Sequence, residues 1–411
     1  SAFCKTRTLL PGESQLLTLE TAKNSMASYD DLGKIFKSSY ILEKGDYHFY
    51  IGTSVRDVTA LDYVMTLNTD LLVEQLSSKA APASLKKRLL ADGSYEELPQ
   101  RTANDPNACV FEKMVPGTEE ALAPATRGRA SCLLLNSYKE NAHPLIDVYE
   151  GKISLDEFTA QLDDDDLIHL LGGQPNTSVA NTYGYGNLPE YGVPNIMTAD
   201  GPAGLRINPQ CEVCTTAWPC ATLLASTWNP ALIEQVGTAG AAEVKENNIA
   251  VWLTPAVNIH RNPLCGRNVE YYSEDPLLAG KMGAAMVRGI QSQHIAAAVK
   301  HFACNNKETN RKHSDSRVSE RALREIYLKA FEIIVKEADP WVIMSAYNMI
   351  NGHRASENHD LLEGILRDEW HFHGMVTSDW WTRGEHYKEI KAGNDVKMAC
   401  GFPERVKKAM E

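Results

Sequence analysis

Beyond residue 150, short apolar runs alternate with longer amphipathic segments, and no other feature of the chain restricts its fold as much. The runs are Ile249 to Val257, Ala296 to Phe302, Trp341 to Ala346 and Gly374 to Ser378. Each is short and apolar enough to be read as a parallel strand buried on both faces. The segment Ser319 to Ala338 places Leu323, Ile326, Tyr327, Ala330, Ile334 and Ala338 on one helical face behind Ser319 as an N-cap. Ser154 and Glu157 make a capping box that opens a helix through Phe158 and Leu162. Asp163 to Asp166 lacks the alternating spacing of a calcium loop and reads as a solvated helix start. Strand alternating with helix predicts an α/β fold, either a barrel or a doubly wound sheet.

The first hundred residues have a different texture. Gln15 to Glu20 and Tyr47 to Ile51 are short runs of strand type, next to turn residues at Pro11-Gly12 and Lys44-Gly45-Asp46. In the second run the odd positions are expected to face a core and His48 to face water. We therefore expect a small all-β sandwich over 1-100. Residues 101-150 contain loop signals at Asn104-Asp105-Pro106-Asn107 and Pro116-Gly117 and are expected to form a linker that wraps back over a domain.

The net charge is −12 across 411 residues, with no cluster of five Lys or Arg, which argues against nucleic acid and anionic membranes as partners. No apolar run is long enough to span a bilayer. Nine scattered cysteines suit a reducing compartment better than a disulfide scaffold, so a cytoplasmic location is expected. Cys211, Cys214 and Cys220 lack a fourth ligand at metal spacing and read as thiols beside a loop.

Polar residues gather where the predicted strands end. Asp200 follows Val193 to Thr198, and Lys300 and His301 close Ala296 to Val299. Tyr347 and Asn348 follow Val342 to Ala346, and Asp379 follows Met375 to Ser378. In a barrel the carboxyl ends of all strands meet at one face, so these residues would share one pocket. Carboxylates and cations for hydroxyls, beside Tyr347 and Trp380 as flat apolar surfaces, form the mixture a pyranose needs. No glycine-rich phosphate motif occurs.

Residues 150 to 411 resemble the barrel domain of glycoside hydrolase family 3. The resemblance rests on Asp200-Gly201-Pro202-Ala203-Gly204-Leu205-Arg206, on Gly266-Arg267-Asn268-Val269-Glu270 with Ser273-Glu274-Asp275-Pro276, and on Lys300-His301-Phe302 with Asn305, Glu308 and Arg311. Ser345-Ala346-Tyr347-Asn348 and Ser378-Asp379-Trp380 complete it. It implies a TIM-like (β/α)8 barrel over 151-411, with Asp379 as catalytic nucleophile. It also implies Asp200, Arg206, Arg267, Lys300, His301, Arg311 and Tyr347 as glycone-binding residues, Trp380 as an aromatic wall, and Glu270 and Glu308 as partners that orient arginines. The implied activity is retaining, exo-acting hydrolysis of terminal β-D-glucosyl or β-D-xylosyl residues through a covalent glycosyl-enzyme on Asp379. Lys300 and the arginines are expected to keep Asp379 ionised at neutral pH. The chemistry calls for no metal and no organic cofactor.

A retaining glycosidase needs a second carboxylic acid about 5 Å from the first, and none is evident in this sequence. Asp315-Ser316-Arg317 carries Arg where the family's acetylglucosaminidase branch has His. Leu10 to Ser14, Tyr47 to Gly52 and Arg56-Asp57 resemble the fibronectin type III-like module of these enzymes. Here the module precedes the barrel and is expected to lack its first strands. That order implies a permuted enzyme whose acid/base Glu lies on an upstream α/β sandwich fragment, which is expected to be a partner of this chain. The other functions considered are a phosphorylase or transglycosylase on the same scaffold and a non-catalytic carbohydrate-binding protein.

Overall fold

A computed structural model describes residues 1–83, 85–98 and 138–411. Residues 101–137 of the expected linker lie outside the described residues. Its remainder, 138–150, is folded: the helix Leu145–Tyr149 joins a small core with Phe158, Leu188, Tyr191 and Val193.

Among the described residues the N-terminal part contains seven strands. β1 (Ser28–Asp30), β2 (Ser39–Leu42) and β5 (Leu71–Gln75) form one antiparallel sheet in the order β1-β2-β5. β3 (Gly45–Ser54) pairs with β4 (Asp57–Leu67), and β6 (Lys87–Leu89) with β7 (Tyr95–Glu97), each as a separate hairpin. The expected strand Gln15 to Glu20 is not formed; this stretch is exposed and has no neighbouring strand to complete its hydrogen bonds. In β3, Tyr47 and Phe49 are half-buried and His48 is exposed, but Ile51 is also exposed. A shift of register between His48 and Tyr50 breaks the alternation there.

In the second part, β8 (Gly184–Leu188), β9 (Val193–Ala199), β10 (Val251–Trp252), β11 (Ala296–Phe302), β13 (Val342–Ser345) and β16 (Met375–Ser378) line up as β16-β13-β11-β10-β9-β8. The ladders from β9 to β16 are parallel, whereas β8 runs antiparallel to β9. Single bridges Thr377 to Val396, Lys397 to Gly172 and Gln174 to Gly184 continue the sheet from β16 round to β8. The result is a curled mixed sheet within an α/β fold, less regular than an eightfold strand–helix repeat. The run Ile249 to Val257 contributes only two ladder residues, because Pro255 has no N–H to offer and only Ala256 bridges onward to Lys300. Between β11 and β16, β12 (Asp315–Ser316), β14 (Met349–Ile350) and β15 (His353–Arg354) form a small separate sheet.

Every residue of β11 and β13 is buried. Along β11, Ala296 and Ala298 join an inner cluster with Val251, Val342 and Met344, while Ala297 and Val299 join the layer under the helices. The alternation of side chains across a strand therefore fills two cores from one apolar run. The outer core includes Met282 from the helix Pro276–Gln291 and Ile334 from the helix Lys329–Ala338. The expected helix from Ser319 begins as predicted, with the Ser319 side chain accepting from the Ala322 amide. It then passes through a π-helical stretch, Leu323–Tyr327, which rotates the phase so that Ile326 is exposed rather than packed. The Ser154 capping box is formed, and Asp163 caps the next helix. Asp166, expected to be solvated, is buried.

The two parts meet around Arg324, a buried residue in the π-helical stretch. Its guanidinium bonds Glu320 at 3.0 Å and Glu369 at 2.6 Å and lies 4.7 Å from the Tyr29 ring centroid. Tyr29 in β1 donates its hydroxyl to Glu320 at 2.7 Å. Among the described residues no helix is long and apolar enough to cross a membrane.

The Pro276–Gln291 and Lys329–Ala338 helices approach closely because Gly283 offers no side chain: a methyl there would sit 2.5 Å from Ile334 Cδ1. Gly283→Ala is expected to lower unfolding stability by about 1–3 kcal/mol through overpacking. Trimming the opposing side chain with Ile334→Val should return part of that loss; urea denaturation of the single and double variants measures both.

Candidate active site

The parallel strands deliver their polar ends to one cavity of about 610 Å³. All nine residues expected at the site line it: Asp200, Arg206, Arg267, Lys300, His301, Arg311, Tyr347, Asp379 and Trp380. Asp200 stands just past β9, Lys300 and His301 in the last turns of β11, Tyr347 just past β13 and Asp379 just past β16.

Asp200 is held by its loop before any ligand arrives. Its amide donates to Asn181 Oδ1 at 3.0 Å, and its carbonyl accepts the Arg206 amide at 2.9 Å. Gly201 and Gly204 both have positive φ, and a Cβ at Gly201 would run into the Gly204 carbonyl, so this turn needs glycine. The carboxylate accepts from Lys300 Nζ at 2.6 Å and from Arg206 at 3.0 Å. Burial alone would raise its pKa, but Lys300 and Arg206 overcome that and hold it down to about 2.

The other carboxylates of the cavity rim are also neutralised. Glu270 pairs with Arg267, and Glu308 pairs with Arg311 at 2.9 Å and reaches toward Arg267 at 4.0 Å. Glu270 and Glu308 therefore orient the arginines, as the sequence suggested. Arg311 in turn lies over the Tyr347 ring, 4.6 Å from its centroid, and Lys312 lies over the same ring at 4.8 Å.

Asp379 differs from these three. It is buried, its Oδ1 accepts the Trp380 amide at 2.7 Å, and its Oδ2 has no hydrogen-bond partner among the described residues. His301 Nε2 lies 3.7 Å from that Oδ2, beyond hydrogen-bonding range. Burial, reinforced by Arg267, Lys300 and Arg311, pushes the His301 imidazole well below its ordinary value, so the ring is neutral. For Asp379, burial raises the carboxyl above its usual range, and Arg267, the Trp380 amide, Lys300 and Tyr347 offset this only in part. Desolvation thus outweighs the neighbouring cations. His301 Nδ1 and Trp380 Nε1 are likewise buried without a hydrogen-bond partner among the described residues. A pyranose, whose hydroxyls donate and accept around its rim, could satisfy such groups.

The sequence did not point to Asn181 or Thr182, which line the cavity from before β8, or to Lys312. The first two precede the antiparallel β8 and so follow no parallel strand in sequence, and Lys312 sits in a loop of mixed charge that reads as solvated. Asp315 accepts from the Gly352 amide at 2.9 Å and pairs with Arg317, which leaves it a structural role in the small sheet. The seven cysteines among the described residues form no disulfide with one another, and Cys211 and Cys214 are exposed.

Because the folded protein holds a proton on Asp379 more tightly than the unfolded chain does, ionised Asp379 costs stability above the ordinary carboxylate range. Asp379→Asn removes that charge. The variant is expected to melt at a higher temperature than wild type at pH 7, with the advantage shrinking toward pH 4; calorimetry at the two pH values checks the sign.

Residues 186–409 match the family model for the glycosyl hydrolase family 3 N terminal domain. Over 415 residues the chain is 58% identical to beta-glucosidase A of Butyrivibrio fibrisolvens, covering 100% of this chain and 50% of that protein. It is 37% identical over 422 residues to a beta-glucosidase of Ruminococcus albus, covering 97% of this chain and 42% of that one. Among solved structures, a beta-glucosidase from Paenibacillus barengoltzii aligns with a TM-score of 0.81 and 40% identity, over 97% of this chain and 44% of that one. The chain spans about half the length of the curated relatives it matches. By family model and by identity, the chain belongs to glycosyl hydrolase family 3.

Proposed function

We propose that this chain is the nucleophile- and glycone-bearing part of a retaining exo-β-glycosidase acting on terminal β-D-glucosyl residues, and on β-D-xylosyl residues where the pocket accepts a sugar without the C6 hydroxymethyl. The observation that carries the reading is the asymmetry among the carboxylates of the cavity. Asp200, Glu270 and Glu308 are each tied to a cation, while Asp379, which lines the same cavity, keeps one carboxylate oxygen without a hydrogen-bond partner among the described residues. A group so placed can attack an anomeric carbon; the others can bind and orient. In this reading Asp200 and Lys300 grip vicinal hydroxyls, with Arg206, Arg267, His301 and Arg311 around the ring and Trp380 and Tyr347 against its apolar face. Attack of Asp379 on C1 forms the glycosyl-enzyme as the bond to the leaving oxygen breaks. Water then releases the sugar with retained configuration.

The departing oxygen needs a proton, and Asp200, Glu270 and Glu308 are already engaged with cations. We assign the acid/base to an α/β sandwich outside this chain, which would stand upstream in a permuted order of sandwich, fibronectin type III-like module and barrel. The module would cover 1-100, a connecting stretch 101-150 and the barrel 151-411. The curled sheet with its bridges back to β8 supports reading the last part as a TIM-like barrel with one reversed strand.

Trapping with 2-deoxy-2-fluoro-β-glucosyl fluoride tests the nucleophile without needing the acid, because fluoride leaves unprotonated. Peptide mapping should find the adduct on Asp379; an adduct on any other residue overturns the assignment. The missing donor is tested separately. The chain alone should cleave a dinitrophenyl β-glucoside but hydrolyse methyl β-glucoside at least about 100-fold less well than a preparation containing the whole enzyme. Equal rates on the methyl glucoside would place the acid within these residues.

A further inference from the structure

Behind the site lies a second cluster of charge that the reaction does not touch. Lys397 and Glu389 form an ion pair of 2.6 Å with side chains 1% and 0% exposed. An ion pair so deeply buried is a poor device for stability, since desolvation of both charges opposes their attraction. Its bonding shows what it holds.

Lys397 has three protons to donate and places all three within hydrogen-bonding distance. They go to Glu389 Oε2 at 2.6 Å, Thr382 Oγ1 at 2.9 Å and the Gly384 carbonyl at 2.9 Å. The other Glu389 oxygen accepts from Thr382 Oγ1 at 2.8 Å and from Ser356 Oγ at 2.7 Å. Residue 384 must be glycine, because a Cβ there would occupy the space of Glu389 Oε1. Thr382 and Gly384 belong to the turn that begins at Asp379 and Trp380. That turn is held on its pocket side by Tyr347, which donates to the Trp380 carbonyl at 2.5 Å, and by Lys312, which donates to the Trp381 carbonyl at 3.1 Å. The backbone of Lys397 is fixed in the sheet: its amide donates to the Leu171 carbonyl and its carbonyl accepts from Gly173.

We propose that Lys397 and Glu389 are positioning residues for the Asp379–Gly384 turn. They fasten its rear to the sheet, so that the Asp379 carboxylate and the Trp380 wall keep their attitude toward the sugar. The role rests on the reading of Asp379 as nucleophile. Neither side chain touches the cavity; both act through Thr382 and Gly384. The groups that grip the glycone, Asp200 and Lys300, stand on other strands and are not part of the latch. Loss of the latch therefore leaves the grip of Asp200 and Lys300 on the glycone in place while the chemical step slows.

The test uses the full 411-residue chain and two variants. Removing Lys397 alone would strand a buried carboxylate and unfold the site, so the first variant is the charge-free pair Lys397→Met with Glu389→Met. The second is Thr382→Val, which keeps the shape and deletes the bridging hydroxyl. Each is compared with wild type for glucose affinity by calorimetry, for melting temperature, and for the first-order rate constant of trapping by 2-deoxy-2-fluoro-β-glucosyl fluoride. The expected result is a trapping rate at least about 10-fold lower in the charge-free pair and roughly 3–5-fold lower in Thr382→Val, with glucose affinity within about 3-fold of wild type. Trapping at the wild-type rate in variants that fold overturns the proposal, as does a loss of affinity in step with the rate. Wild type that is trapped elsewhere than on Asp379 overturns instead the reading on which it rests, so the two failures are distinct.

Discussion

A strand buried on both faces has no place along its length for a charge, and this constraint organises the molecule. β10, β11 and β13 are closed in by an inner cluster on one side and by helices on the other. Charged and hydrogen-bonding groups can be satisfied only where such strands run out, and in a parallel arrangement they run out at the same end. Lys300 shows the constraint from within: the one lysine of β11 lies near its carboxyl end and is paired at once with Asp200 from the neighbourhood of β9. The pocket is thus a product of the sheet's burial as much as of any individual residue.

Having gathered charges, the fold pairs them, and the pairing decides which can do chemistry. Asp200, Glu270 and Glu308 each contact a cation. Asp379 receives one backbone amide and the more distant influence of Arg267 and Lys300, too little to cancel its desolvation. Its carboxyl is consequently the one in the cavity held above the ordinary range. A binding site could be built from paired ions alone. An unpaired and desolvated carboxylate costs stability, and costs of this kind are tolerated at sites where a reactive group is needed.

Much of this could be read from residue order. The strands Ala296 to Phe302, Trp341 to Ala346 and Gly374 to Ser378 are found within a residue of their expected limits, because continuous apolar character reports two-sided burial directly. Asp200, Lys300, His301, Tyr347 and Asp379 line one cavity because strand ends converge, and Arg206, Arg267 and Arg311 join them from loops marked by the family resemblance. What escaped has physical reasons. Ile326 was misplaced because a π-helical turn shifts the phase without altering the pattern of apolar letters. Gln15 to Glu20 has the composition of a strand, but pairing depends on a neighbour, which composition does not encode. The buried Lys397 was invisible since a lone lysine between Val396 and Met398 reads as a solvent-facing residue, and its partner Glu389 lies on a helix that looks amphipathic and exposed. Direction of pKa shift was also beyond reach: the cations near Asp379 are evident in sequence, but the depth of its burial is not.

The junction at Arg324 has a consequence for how the molecule comes apart. Tyr29 and Glu320 are hydrogen-bonded across 291 positions of sequence, and Ala80 and Asp360 across 280. Peeling β1 away would strip the buried Glu320–Arg324 pair of Tyr29 and leave it to Ser78, Lys79 and Glu369. Local opening is cheap only where few buried contacts are lost, so the small N-terminal sheet is not free to unfold ahead of the larger body.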